Sequence, residues 1–430
     1  MLSIIGFATI FIIVILLLRG RVIPIIPLVI IPVLAALVTG FGLVDIGEFF
    51  EDGISRVIDV AIMFIFAILY FGIMQSVGLF DPLINKMIQL TRGNIVTISI
   101  GTVVIAAIAQ LDGSGASTFL ITIPALLPLY NRMKMNPYLL LLLISGSAAT
   151  MNMLPWAGPL GRAASVLDMN VTELWRPLIP IQIIGMIFML ALAIFLGYRE
   201  KKRIERRYGA VNIGAEEQDE MKSLNVTSLK LFWFNVVLTL IVIIVLVLGV
   251  LPAGLAFMIG VSIALPINYR TAEAQGEIIK THAGSALTMG TIILGAGVFL
   301  GILTGTGMLD SIALDTVKVI PQAIASHIHL ILGLFGMPFD LLLSTDAYYF
   351  ALLPVAEQIG LSFGVSSLAT TYAMIVGNIV GTFVSPFSPA LWLALGLAGL
   401  EMGKHIRYSF LWLWGISIAL LIVSFLFGIV

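Results

Sequence analysis

The chain has 430 residues, of which 60% are hydrophobic and 10% charged, with a formal net charge of −1 and no cysteine. Soluble domains carry about 25% charged residues, so this composition excludes a water-soluble globule. The absent cysteines exclude disulfides, thiolate metal sites and a thiol nucleophile, and the near-neutral charge leaves no basic footprint for nucleic acid. Long apolar runs recur from end to end with no room for a soluble domain between them. The expected class is an all-α, multi-pass protein of the cell membrane.

A crossing helix needs about 20 apolar residues for a hydrocarbon core of roughly 30 Å. Segments 2–18 and 22–43 open the series. The first lacks a basic start and a small-residue cleavage site, and reads as a retained helix, not a signal peptide. Segment 58–80 follows the acidic "EFFEDG". Two apolar stretches, 95–111 and 115–130, flank "LDGSGAST" at 111–118, which sets Asp112 on a Gly/Ser-rich bend between uncharged runs. They read as a re-entrant hairpin over about 95–131. Crossings 137–160 and 179–198 complete a first unit, 1–198, and residues 199–229 form a charged linker. The second unit, 230–430, repeats the order with crossings 231–250, 252–267 and 285–308. A hairpin over about 325–357 follows, built from 325–343 and 347–356 with "STDA" at its tip, then crossings 366–400 and 408–429. Its arm "AYYFALLPVA" has 10 residues before Glu357. At 1.5 Å per residue it reaches about 15 Å, half the core, so it enters the membrane and turns back.

The most basic run, "REKKRIERR" after residue 198, belongs in the cytoplasm. Counting from it places Arg19/Arg21, Lys86/Arg92, Arg132/Lys134, Arg270/Lys280 and Lys404/Arg407 on the same side, with "EFFEDG" and both termini outside. The halves also match. "FGIMQSVGLFD" (71–81) aligns with "LGILTGTGMLD" (300–310) at an offset of 301 − 72 = 229, Pro124 with Pro354 at 230, and Pro155 with Pro386 at 231. The fold expected is two inverted repeats, each of five crossing helices and one hairpin, an arrangement that puts the binding site of secondary transporters near the midplane.

Two crossings are broken by prolines, glycines and polar residues: "NMLPWAGPLGR" (152–162) and "GNIVGTFVSPFSP" (377–389). Non-helical backbone at membrane depth is tolerated only where protein buries it or water reaches it, so breaks and tips are the candidate site. Asp112 and Asp346 are the tip carboxylates, expensive in lipid unless paired or hydrated. With the hydroxyls of Ser114, Ser117, Thr118, Ser344 and Thr345 they form a hard-oxygen set suited to Mg²⁺, Ca²⁺, Na⁺ or a proton. Asn152, Pro155, Trp156 and Gly158 of the first break and Asn378, Ser385 and Ser388 of the second are candidate substrate contacts. Arg162 beside the first break offers a fork for a substrate carboxylate, or a partner for Asp168. Asp59, Asp81, Asp310, Asp340, His327 and His329 are weaker candidates; Asp340 either caps a helix or approaches the tip. H-E-x-x-H, G-x-S-x-G and P-loop motifs are absent, which argues against an intramembrane enzyme and against ATP as the energy source.

The segments "AILYFGIMQSVGLFDP", "LDGSGASTFLITIPALLPLY", "MNMLPWAGPLGRAAS", "GVFLGILTGTGM" and "STDAYYFALLPV" resemble the citrate–divalent metal–proton symporter family over essentially the whole chain. The resemblance implies import of citrate chelated to Mg²⁺ or Ca²⁺ together with protons, no tightly bound cofactor, a homodimer, and an elevator-like movement of the hairpin domain. Another organic or inorganic anion, and Na⁺ in place of the proton, are the alternatives. Metal ligation would fall to Asp112 and Asp346. The family's first tip reads Asp-Gly-Asp-Gly, whereas here it is Asp112-Gly113-Ser114-Gly115, and Thr345 stands where the related carriers' Ser-Asn-Thr motif has Asn. One tip carboxylate fewer implies weaker metal dependence.

Overall fold

The computed structural model describes residues 2–19, 22–79, 82, 94–208, 229–248, 250–317, 326–343 and 345–430. Arg21, Asp81, Lys86, Arg92, residues 209–228 and the tip residue Ser344 lie outside the described residues. Every regular element among the described residues is helical. The order is α1 Leu2–Arg19, α2 Ile25–Val38, α3 Leu43–Ser76, α4 Ile95–Ala109, α5 Gly115–Arg132, α6 Pro137–Met151, α7 Gly158–Val166, α8 Val171–Trp175 and α9 Ile179–Tyr208. Then come α10 Leu229–Leu248, α11 Ala253–Asn268, α12 Ala272–Gly305, α13 Met308–Val317, α14 Ile328–Leu334, α15 Gly336–Phe339, α16 Leu353–Ser362, α17 Ser367–Asn378, α18 Pro389–Ala398 and α19 Met402–Leu426. Among the described residues, five stretches are long and apolar enough to cross a membrane: Leu43–Ser76, Ile95–Asp112, Val171–Arg207, Ala272–Gly305 and Met402–Leu426. Large apolar side chains such as Phe11, Ile183, Ile187 and Leu426 stand exposed on the outside, as a lipid-facing surface requires.

The longest helices form the frame. α3 and α12 have 34 residues each and begin 229 positions apart, 272 − 43. They run antiparallel: Gly72 meets His282 toward one end, and Phe49 meets Gly305 toward the other. Gly53 faces Gly297, and a Cβ on it would collide with the Gly297 carbonyl; a Cβ on Gly301 would collide with the Phe49 carbonyl. Glycines spaced by four residues (297, 301, 305) thus present one bare face, which lets the backbones touch where lipid supplies no hydrophobic push. Both helices end in the same way, with Gly78 and Gly307 each at φ 72°, a left-handed exit that glycine adopts without steric cost.

Four boundaries differ from the sequence expectation. α3 and α12 start well before 58 and 285, because a hydropathy window registers only lipid-length apolar runs. Asp45 accepts from Gly42 N at 2.8 Å and Thr271 from Ala274 N at 3.2 Å, so the helices nucleate earlier, with Glu48, Glu51 and Asp52 on the exposed face. The basic run is the last part of α9 and not linker: Glu200 accepts from Asn136 N at 2.6 Å and pairs with Arg203 at 2.6 Å, holding the helix to Tyr208. The second arm of the second hairpin, "AYYFALLPVA" onward, does not stop at Glu357. It is helical from Thr345 to Ser362, and Glu357 lies half-buried within it, so the argument from a half-length arm fails. The other arm, not this one, is the broken one, divided into the short α14 and α15.

The seam predicts a sharp contrast between glycines. Gly301→Ile should force α3 and α12 apart, at a cost of about 1–3 kcal/mol or more, as overpacking does. Gly276, on the same helix with open space around it, should accept alanine without loss. Thermal unfolding of the detergent-solubilised variants checks this; equal midpoints would contradict it.

Candidate functional site

The first tip is a tight, fully wired turn. α4 runs into one 3-10 turn, Gln110–Asp112; Gly113 then takes φ 74° and Ser114 is extended before α5 begins. Only glycine serves at 113, since a Cβ would also stand 2.9 Å from the Trp156 carbonyl oxygen. The Asp112 carboxylate accepts from Ser114 N at 2.8 Å and from the Ser117 hydroxyl. It is 7% exposed, while Ser114 and Ser117 beside it are half-buried. Behind them Gln110 donates through Nε2 to Asn152 Oδ1 at 2.8 Å and accepts from Thr118 at 2.5 Å, and Trp156 Nε1 donates to Leu111 O at 2.8 Å. These bonds pin the tip to the first break.

That break is real backbone interruption. α6 ends at Met151, residues 152–157 including Pro155 are non-helical, and α7 restarts at Gly158 with Pro159 in its first turn. Trp156 is buried and stacked on Phe71 with ring centroids 5.2 Å apart, so it packs and anchors and does not line an opening. Arg162 sits one turn into α7. Its Nε donates to Asp346 Oδ1 at 2.7 Å, with the two side chains 9% and 13% exposed. Gly158 makes room for this pair, because a Cβ there would lie 2.5 Å from the guanidinium. Asp346 therefore engages Arg162, and the alternative partner Asp168 lies elsewhere, at φ 53° on the wall of a cavity of about 350 Å³ shared with Arg56 and Asp59.

The second tip leads from Thr345 and Asp346 into a π-helical turn, Ala347–Leu352, a wide turn found often at functional sites. Tyr348 and Tyr349 in it are fully buried, and the Tyr348 hydroxyl donates to Met374 O at 3.2 Å. At the second break α17 ends at Asn378, and α18 begins only at Pro389, behind Ser388. Asn378 donates to Gly336 O at 3.3 Å and Ser385 to Asp340 O at 2.5 Å, so both hold the first arm of the second hairpin. A Cβ on Gly115 would collide with the Phe383 ring, which brings the first tip onto the second break as well.

Tips and breaks thus meet around α7. Asp112, Ser114 and Ser117 share one turn, and Arg162 and Asp346 share one ion pair, whereas Thr118, Asn152, Trp156 and Ser385 are occupied by protein partners, and Asn378 is so through its Nδ2 alone. No group of three or more His, Asp or Glu that could hold a metal exists among the described residues. A divalent ion would therefore need oxygens from its own chelator beside Asp112 and Asp346. Sequence reasoning passed over Gln110, a lone amide at the end of an apolar run, and His405, whose ring reaches Phe383 O at 3.2 Å. Both show only once the fold places them. A cavity of about 710 Å³ opens away from the tips, at the basic end of α9 beside Arg199, Arg203 and Arg407.

The family model described as "Citrate transporter" matches residues 9–377. A citrate transporter of Bacillus subtilis is 36% identical over 430 residues, covering 100% of both chains. A Mg(2+)/citrate complex secondary transporter of the same organism is 36% identical over 417 residues, 96% of this chain and 95% of the relative. Among solved structures, the YdaH transporter of Alcanivorax borkumensis superposes with a TM-score of 0.61 at 16% identity, over 89% of this chain and 88% of that one. It shares the fold. These relatives are transporters and not enzymes. The chain is a membrane protein and belongs to the citrate transporter family.

Proposed function

We propose that the protein imports citrate complexed with Mg²⁺ or Ca²⁺ across the plasma membrane, in symport with protons. The observation that carries this reading is the buried Arg162–Asp346 pair; Arg162 lies against Gly158, one residue after the Ala157 that Gly113 of the Asp112 turn faces. Trivalent citrate is prohibitive in a low-dielectric site, and a chelated divalent cation cancels two of its charges. The complex presents both a carboxylate for one guanidinium and a cation for two carboxylates. Arg162 exchanges Asp346 for a substrate carboxylate, and the released Asp346, with Asp112, completes the metal's oxygen shell. Ser114, Ser117, Ser344 and Thr345 hydrogen-bond the remaining substrate oxygens, and the first turn of α5 adds backbone N–H groups and its dipole. The carboxylates leave net negative charge in the loaded site, which is why protons accompany the substrate; Na⁺ is the alternative coupling ion.

The same reading takes residues 1–198 and 230–430 as inverted repeats. Its support is the equal length of α3 and α12, their 229-residue offset and their antiparallel packing, the arrangement that a two-fold axis in the membrane plane produces. The glycine-seamed pair belongs to a dimeric scaffold, and the hairpins with the broken helices move past it as an elevator.

Uptake of radiolabelled citrate into proteoliposomes under a pH gradient tests the substrate. Accumulation should need Mg²⁺ or Ca²⁺ and collapse with chelator; uptake unchanged by chelator would replace the complex with a free anion. Orientation is tested by a cysteine in place of Glu216, which a membrane-impermeant thiol reagent should leave unlabelled in intact cells; labelling from outside would reverse the topology.

A further inference from the structure

The first arm of the second hairpin carries Asp340 just after α15, 1% exposed, and neither of its carboxylate oxygens has a hydrogen-bond partner among the described residues. Asn378 lies within hydrogen-bond reach of it, yet its Nδ2 is turned to Gly336 O and its Oδ1 is also unpartnered. The Tyr349 hydroxyl, buried and within the electrostatic reach of Asp340, is a third orphan. Gly381 keeps the place open, since a Cβ there would collide with Asp340 Oδ2. Two acceptors without a donor, in a dry interior, cost several kcal/mol unless something positive lies between them.

The first half holds the comparison. Gln110 stands 230 residues earlier, the offset that also relates Pro124 to Pro354, and it is 0% exposed. There a neutral amide donates to Asn152 Oδ1 at 2.8 Å and accepts from Thr118, so that every polar atom is satisfied. A carboxyl at the equivalent place reproduces that donor only with a hydrogen on it. We propose that Asp340 is a proton-binding site of the carrier, its carboxyl O–H donated to Asn378 Oδ1 in the state seen here. The proposal rests on the reading of the protein as a coupled carboxylate carrier and moves the coupling proton away from the substrate seat. When the hairpin arm opens to the cytoplasm, the O–H ionises and its proton goes to water; facing outside, the carboxylate takes a proton from water again.

The other titratable groups on elements packed against it are Tyr348 and Tyr349 of the π-helical turn, Tyr372 on α17, His329 on α14, and Lys404, His405, Arg407 and Tyr408 on α19. Arg162 lies beyond Tyr349 and is held by Asp346. His405 spends its ring nitrogens on Phe383 O and Ser409, each at 3.2 Å.

Two measurements test the proposal. In proteoliposomes, Asp340→Asn, a permanent mimic of the neutral form, should keep citrate–citrate exchange and lose accumulation driven by a pH gradient. Parent-like accumulation, or accumulation restored by a Na⁺ gradient, would overturn it. Exchange by this variant also keeps the two readings apart, since it shows the substrate seat intact whether or not the proton assignment survives. Independently of how the variant folds, infrared spectra of the purified parent at neutral pH should contain the C=O band of a protonated buried carboxyl, shifted in D₂O. Its absence would overturn the proposal; its presence in the parent and loss from folded Asp340→Asn supports it.

Discussion

The Arg162–Asp346 pair joins parts of the chain 184 residues apart, and the architecture of the site is arranged around it. The other ion pairs among the described residues link neighbours three or four positions apart on one helix, where water and chain flexibility reduce each to a fraction of a kcal/mol. A pair this buried is different. Removing one partner strands a charge in a poor solvent, at about 3–5 kcal/mol, whereas exchanging one partner for another anion leaves the charge compensated. That asymmetry makes the pair a natural place for an anionic substrate to enter. It also explains the local sequence: Gly158 leaves room for the guanidinium, and the π-helical turn begins immediately beyond Asp346.

Around this pair the protein divides its labour by side-chain size. The α3–α12 frame is joined by glycines, so backbone lies against backbone and small displacements meet hard walls. The hairpins and broken helices are joined instead by amides, hydroxyls and single indole N–H donors, each bond spanning from a hairpin to a break. Such contacts are directional and individually modest, and they exchange partners more easily than packed carbon. Rigid seam and re-pairable centre are the physical requirements of a carrier that must present one seat to two sides.

Much of this was legible in the residues. The charge deficit gave the membrane class, and Asp112 on a Gly/Ser bend marked the first tip. The proline pairs marked both breaks, and Arg162 was noticed because it stood next to one. Helix starts were not legible, because Asp45 and Thr271 set them by capping while hydropathy reports only the lipid-length part. Glu357 misled for a related reason: one carboxylate in an apolar run reads as a boundary, yet a half-buried helix position accommodates it. The partner of Arg162 depends on long-range packing: the residues alone suggested a substrate carboxylate or the nearby Asp168, and Asp346, 184 positions away, was not among the candidate partners. Asp340 and Gln110 look alike in sequence, single polar residues in greasy arms. Their difference, one satisfied and one not, exists only in three dimensions.

The claim on which the account turns is that Arg162 receives the substrate after releasing Asp346. Titration calorimetry of purified, folded Arg162→Gln with citrate in the presence of Mg²⁺ addresses it directly. The account predicts binding weaker by at least about tenfold, or 1.4 kcal/mol, relative to the parent. Parent-like affinity in that variant would contradict it.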